Sequence, residues 1–168
     1  MIQGTGAITT VVGNGKEGFA GDGRNAKKAK LRNPIGVFVD DFGAIYIADT
    51  RNRCLRKVDP SGIIRTIAGT GKSSQNVDSG VAVTVQLFLP ESLVVNRNGI
   101  FFTDLVNGVR RVSPDGIIKT IGGNGQVMSG DGGPANASPL YSTTIAILPQ
   151  GTIYIGDQMR LRVLTPIQ

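Results

Sequence analysis

Histidine and tryptophan are absent from this chain, and cysteine occurs once, at Cys54. Without histidine, the usual general base near neutral pH and the commonest zinc ligand are both missing. Serine–histidine and cysteine–histidine catalysis are therefore impossible within the chain. A lone cysteine excludes an internal disulfide and reads as a small apolar residue in a strand. Three Tyr and six Phe leave little surface on which bases could stack. No apolar run approaches the roughly 20 residues that a membrane span needs, so no membrane partner is expected. The start, MIQGTGAITT, lacks the basic region and apolar core of a signal peptide. Met1 stands only a few residues before a repeated phrase, as it would in an excised piece of a longer protein.

What the chain has instead is repetition. A ten-residue phrase occurs three times: GAITTVVGNG at 6–15, GIIRTIAGTG at 62–71 and GIIKTIGGNG at 116–125. A fixed period of this size marks a tandem array of one supersecondary unit, and the units run over about 6–61, 62–115 and 116–168 of a single domain, 1–168. The β-branched density of each copy, Ile8 to Val12 in the first, predicts a strand opened and closed by glycine. Arg65 and Lys119 stand mid-strand, which suits a strand near the rim of its sheet.

A long glycine-rich connection follows the phrase. It reads KEGFAGDGRNAKKAKLRNP at 16–34, SGDGGPANASPL at 129–140 and, in worn form, VDSGVAVTVQLFLP at 77–90. Ala26, Ala29, Ala135 and Ala137 predict that part of it packs closely as one short helical turn. Pro34 and Pro90 close it, with Thr143 at the corresponding place in the third unit. Three short strands come next in each unit: IGVFVD, SLVVN and TIAIL; then AIYIAD, IFFTD and TIYIGD; then CLRKVD, VRRVS and LRVLT. The first of each set is nearly continuous in apolar residues, which suits burial on both faces. With the phrase as a fourth strand, the grammar is that of an all-β propeller built from four-stranded blades, three per chain.

The string GFAGDG at 18–23 and its continuation AKLRNPIGVFVDDFGAIYIADTRNRCLRKVDPSGIIRTIAG at 29–69 closely resemble NHL repeats of the long, GDGG-containing type. The resemblance is strong in the first unit, degraded in the second and partial in the third. It implies a β-propeller, often six-bladed, serving as a binding platform for proteins or RNA. A few relatives of similar shape are lyases or hydrolases that use metal ligands.

Two motifs are decoys. Gly13, Gly15 and Gly18 spell GxGxxG, but no amphipathic helix follows to receive a dinucleotide. Gly71-Lys72-Ser73 ends like a phosphate loop, yet Thr66 stands where its first glycine belongs. For a hard cation such as calcium, Asp22 and Asp131 in the GDG turns are the candidate ligands, although aspartate before glycine is also a preferred turn pair. No cofactor is expected.

The most regular polar feature pairs an aspartate ending the second strand with an arginine in the third: Asp49 and Arg56, Asp104 and Arg110, Asp157 and Arg162. Their spacing falls from seven to six to five, as it would if a hairpin turn lost residues while its partners persisted. Once per blade is a structural frequency more than a catalytic one. Charge is uneven as well. Of the net +6, residues 16–57 carry +5, from ten Lys/Arg against five acids. Lys27, Lys28, Lys30 and Arg32 form the candidate polyanion patch, the feature on which an RNA-binding reading rests.

Three blades leave two apolar faces bare. The expectation is a non-enzymatic binding scaffold for a macromolecular partner, assembled as a homodimer into a six-bladed ring. In that ring Ala7–Val12 of each copy pairs with Leu161–Thr165 of the other by strand exchange.

Overall fold

A computed structural model describes residues 6–72, 79–123, 131–138 and 140–165, with the side chains at 142–143 left aside. Ser73 and the end of the third phrase, residues 124–125, lie outside the described residues. Thirteen strands are defined among them: β1 (Arg24–Asn25), β2 (Pro34–Val39), β3 (Ile45–Asp49), β4 (Cys54–Val58), β5 (Ile63–Ala68), β6 (Ser79–Val81), β7 (Pro90–Asn96), β8 (Gly99–Asp104), β9 (Gly108–Val112), β10 (Ile117–Gly122), β11 (Ser142–Ile147), β12 (Ile153–Asp157) and β13 (Arg160–Leu164). The described residues hold no α-helix, only three short 3-10 turns at Ala26–Lys28, Thr50–Asn52 and Ala135–Ala137.

The strands form three antiparallel sheets, ordered β1-β5-β4-β3-β2, β6-β10-β9-β8-β7 and β11-β12-β13. Within them β2 to β5, β7 to β10 and β11 to β13 run as meanders joined by short hairpin turns, with β1 and β6 added at the outer edges out of sequence order. The phrase strand β5 pairs with β4 and closes the sheet begun by β2, and β10 does the same beside β9. Sheets therefore group residues across the boundaries of the sequence repeats.

The expected four strands become five in the first two sheets. The glycine-rich connection doubles back and lays β1 against Ile63 and Ile64, and β6 against Ile117 to Lys119. Two or three paired residues are too few to leave a strand signature in the sequence. Ala7–Val12, expected as a strand, has no sheet partner among the described residues and ends in a bend, and Ile8 is fully exposed. The third sheet has three strands among the described residues.

Strand starts also differ by one position in the third unit. Pro34 pairs with Asp49 and Pro90 with Asp104, and it is Ser142, not Thr143, that pairs with Asp157. The register follows the pairing to the aspartate and not the count of residues in the connection.

The sheets stack face to face, with β2 packed on β7 and β7 on β11. Tyr46, Ala48 and Leu55 of the first sheet meet Leu93, Phe102, Val112 and Ile118 of the second in one core. Phe101 and Val109, on the second sheet's other face, meet Ile145, Ile153 and Ile155 of the third. Close approach is enforced at Gly36, where a Cβ would sit 2.0 Å from the Glu91 carbonyl oxygen. Polar stitches cross both junctions: the Thr50 hydroxyl donates to the Pro90 carbonyl at 2.7 Å, and the Ile145 N–H donates to the Ser92 hydroxyl at 3.2 Å.

A third core forms where the connection folds over the first sheet, with Ala26, Ala29 and Leu31 covering Ile47, Val58 and Ile64. The cover stops short of β2. Ile35, Val37 and Val39 are exposed, Val37 at 67%, although their pattern reads as a doubly buried strand. The equivalent Leu93 is buried because a sheet lies over it.

Candidate functional site

The aspartate that ends each second strand sits at a junction of four chain segments. Asp49 is fully buried, as is Arg56 one strand over. One oxygen of Asp49 accepts the Arg32 N–H at 2.7 Å, and the other accepts the Asn52 amide at 2.8 Å and Arg56 Nη1 at 3.4 Å. The strand, its hairpin and the incoming connection are held by one carboxylate, since an acceptor-only group with several lone pairs can serve all three. Burial pushes the Asp49 carboxyl above its ordinary value. The Arg32 N–H, the Asn52 amide and Arg56 pull the other way.

The arrangement repeats. Asp104, fully buried, accepts the N–H groups of Phe88 and Leu89 and the Asn107 amide, with Arg110 Nη1 at 3.5 Å. Asp157 accepts the Tyr141 N–H at 2.9 Å, with Arg162 at 3.4 Å and Arg160 at 3.3 Å. Asp49 pairs in register with Cys54, Asp104 with Gly108 and Asp157 with Arg160, so the turn between them is residues 50–53, then 105–107, then 158–159. The turn shortens by one residue per unit while the carboxylate keeps its arginine. The third partner, Asn52, Asn107 or Arg160, escaped the sequence reading. Its signal was the Asp-x-x-Asn spacing shared by the first two units.

Asp22 and Asp131, the candidate cation ligands, are each spent on an arginine. Asp22 lies 2.7 Å from Arg56 Nη2, and Asp131 lies 2.9 Å from Arg162 Nη2. Gly18 and Ala20 add their carbonyl oxygens to Asn52 and Arg56, and the Phe19 ring lies 5.0 Å from the Arg56 guanidinium. The glycine-rich loop is thus a lid over a buried cation. Among the described residues no three carboxylate or thiol groups gather as a metal site would require. In the second unit the corresponding Asp78 lies outside the described residues.

Of the proposed polyanion patch, Lys27 and Lys28 are exposed on the 3-10 turn, capped by the Asn25 side chain. Lys30 is half-buried, its stem lying along Gly18, and Arg32 pairs at 3.6 Å with Glu17. Cys54 is buried and free, and burial with the nearby Asp49 charge pushes its thiol up to about 12. The loop containing Gly13, Gly15 and Gly18 takes positive φ at all three glycines and leads into no α-helix.

A cleft of about 670 Å³ lies along the outer edge of the third sheet, between β13 and the segment Asp131–Ser138, with Leu140, Ile155 and Leu164 on its apolar walls.

The sequence profile of the Teneurin NHL domain matches residues 1–79. Teneurin-4 of Mus musculus is 30% identical over 152 residues, 82% of this chain, and Teneurin-1 of Gallus gallus is 34% identical over 114 residues, 64% of it. The chain belongs to the NHL-repeat family. It spans 5% and 4% of those two relatives. As an NHL-repeat chain it also shares its fold with an auxiliary nutrient binding protein from Bacteroides ovatus, with a TM-score of 0.66 at 20% identity over 85% of this chain and 39% of that one. No helix among the described residues is long and apolar enough to cross a membrane.

Proposed function

We propose that this NHL-repeat chain is a non-enzymatic binding scaffold for a protein partner, working as a propeller ring completed by a second copy. The observation that carries the reading is the use of its polar residues. The aspartates and arginines that recur once per sheet are committed to one another and to backbone N–H groups inside the protein, so their role is to hold the sheets' geometry. The apolar surface left in the open, by contrast, is extensive: Ile35, Val37 and Val39 on one end of the stack, Leu161 and Val163 on the other. Exposed apolar areas of this kind mark interaction surfaces. Six sheets from two copies would cover both ends, and the rim of the ring would remain for the partner.

The test is Asp104→Ala, with Asp104→Asn beside it. For a structural carboxylate, removal takes a buried charge partner from Arg110 and the acceptor from the Phe88 and Leu89 N–H groups, and lowers stability by about 3–5 kcal/mol. A variant that keeps its wild-type melting temperature would mean the pair is free for chemistry, and the scaffold reading would fall.

A second reading, binding of RNA or another polyanion, is favoured by the exposure of Lys27 and Lys28 together. Poly(U) titrated at two salt concentrations separates it: phosphate-driven binding weakens steeply as salt rises, whereas absence of binding at low salt removes it. The calcium-dependent lyase or hydrolase reading has its two candidate aspartates engaged by Arg56 and Arg162.

A further inference from the structure

In the first two sheets, the strand contributed by the repeated phrase is gripped from both sides. On the inner side β5 pairs Ile64 with Val58, Arg65 with Lys57 and Thr66 with Arg56. On the outer side the connection donates the Gly23 N–H to the Ile64 carbonyl and the Ala26 N–H to the Gly62 carbonyl, both at 2.8 Å. The second sheet repeats this grip, with the Ala82 N–H donated to the Gly116 carbonyl at 2.8 Å. In the third sheet both jaws are in place, β13 inside and Asp131–Ser138 outside. Between them is the cleft of about 670 Å³.

We propose that this cleft is a two-sided acceptor slot for one β-strand, and that its occupant is Ala7–Val12 of a second copy of the chain. The inference rests on the two-copy reading and names the element that joins the copies. Ala7–Val12 belongs to the same phrase as β5 and β10, the strands that occupy the equivalent slots. It has no backbone hydrogen-bond partner among the described residues, and Ile8 is 102% exposed. The residue after it is already anchored as in a completed blade. Gly13 donates to the Ala26 carbonyl at 2.9 Å, as Gly69 does to Ala82 and Gly123 to Ala135. That anchor ties the segment to its own first sheet, with the second sheet standing between it and its own third. Its own third sheet is therefore out of reach, and another copy's third sheet stacked beside the first offers the slot.

Equivalence fixes the register. Ile8 takes the place of Ile64, opposite Leu164 and against Ile155 and Leu140. Thr9 faces Val163, and Thr10 faces Arg162. The Ala135 N–H donates to the Gly6 carbonyl, and the Gly132 N–H to that of Ile8. Filling the slot also stacks Val37 and Val39 of one copy on Tyr154 and Leu161 of the other. Leu93 and Tyr46 already make the same sheet-on-sheet contact within the chain.

Disulfide trapping tests the slot directly. In the double variant Thr9→Cys/Val163→Cys, mild oxidation is expected to give a covalent dimer of twice 17.6 kDa, because cross-strand neighbours lie within disulfide range. Thr10→Cys/Val163→Cys, off register by one residue, should not cross-link at that rate. Equal cross-linking of both pairs, or of neither, overturns the assignment. Two further variants of the full chain, Ile8→Asp and Ala135→Pro, act on the strand and on one jaw. Each should weaken dimerisation at least about 100-fold by sedimentation. A dimer indifferent to both would keep the ring and remove the slot. A chain that stays monomeric at 100 μM would remove the ring. The slot would then stand only if a synthetic peptide of residues 5–15 binds the chain saturably, and it falls if the peptide does not bind or binds Ala135→Pro equally well.

Discussion

Arg56 and Asp22 meet at 2.7 Å although they are 34 residues apart in the chain. The contact joins the tip of a glycine-rich loop to the middle of a third strand, and it recurs between Arg162 and Asp131. A loop of this length would otherwise cost ordering entropy without return. Here it brings the Asp22 carboxylate and the Ala20 carbonyl oxygen to a guanidinium that has no access to water, so the loop belongs to the folded core of its sheet.

The lid should therefore be separable from the inner pair. Asp22 is about half exposed, so Asp22→Asn is expected to cost about 1 kcal/mol, well below the loss for a carboxylate deep in the sheet such as Asp104. Urea denaturation of both variants would measure the difference. Equal losses would show that the loop contact is as deep a part of the core as the strand pair.

Metal removal should do nothing. Because Asp22 and Asp131 are matched by arginines, EDTA is expected to leave the melting temperature unchanged, and elemental analysis of untreated protein should find no stoichiometric zinc or calcium. A chelator-induced fall in melting temperature would overturn both the lid assignment and the non-enzymatic reading.

Gly36→Val places methyl groups where the Glu91 carbonyl oxygen already sits 2.0 Å from the site of a Cβ. Overpacking at a junction between sheets typically costs about 1–3 kcal/mol. A melting temperature lower by several degrees is the expected result, with Gly43→Val, a turn position, as a comparison whose cost is confined to its backbone conformation.

Two turn aspartates give the chain an acid limb. The Ser61 hydroxyl and the Ile63 N–H hold the Asp59 carboxyl below its ordinary value of 3.8, and the Ser113 hydroxyl does the same for Asp115. A lowered folded value means that the unfolded chain takes up the proton first. The contribution is complete above about pH 4 and is lost as pH falls through the folded value. Asp49 runs the other way: its raised carboxyl makes its own contribution shrink as pH rises past 3.8. Asp59→Asn/Asp115→Asn should accordingly show a shallower loss of stability between pH 5 and 3 than the parent chain, measured by thermal melts. A parallel pair of curves would refute the assignment.

Cys54 should resist thiol reagents in the folded protein. It is buried, and its thiol is pushed up to about 12, so almost no thiolate exists at neutral pH. Ellman's reagent is expected to react only on unfolding, and a rapid native reaction would mean that β4 opens readily.

The period, the phrase strands inside the sheets and the pairing of Asp49 with Arg56 were legible in the residues, because alternation, turn chemistry and once-per-unit recurrence are local signals repeated three times. The short fifth strands β1 and β6 were not legible, since two or three paired residues carry no pattern of their own. Nor was the partner of Asp22, because a loop closing over 34 residues is chosen by what lies buried beneath it. Most instructive are Val37 and Leu93, which occupy the same register position in adjacent sheets with the same apolar alternation. One is 67% exposed and the other 4%. Sequence by itself determined that both positions are apolar and share one face of a strand. Which of them is dry was decided by whether another sheet lies across that face, because burial is a property of the neighbour as much as of the residue.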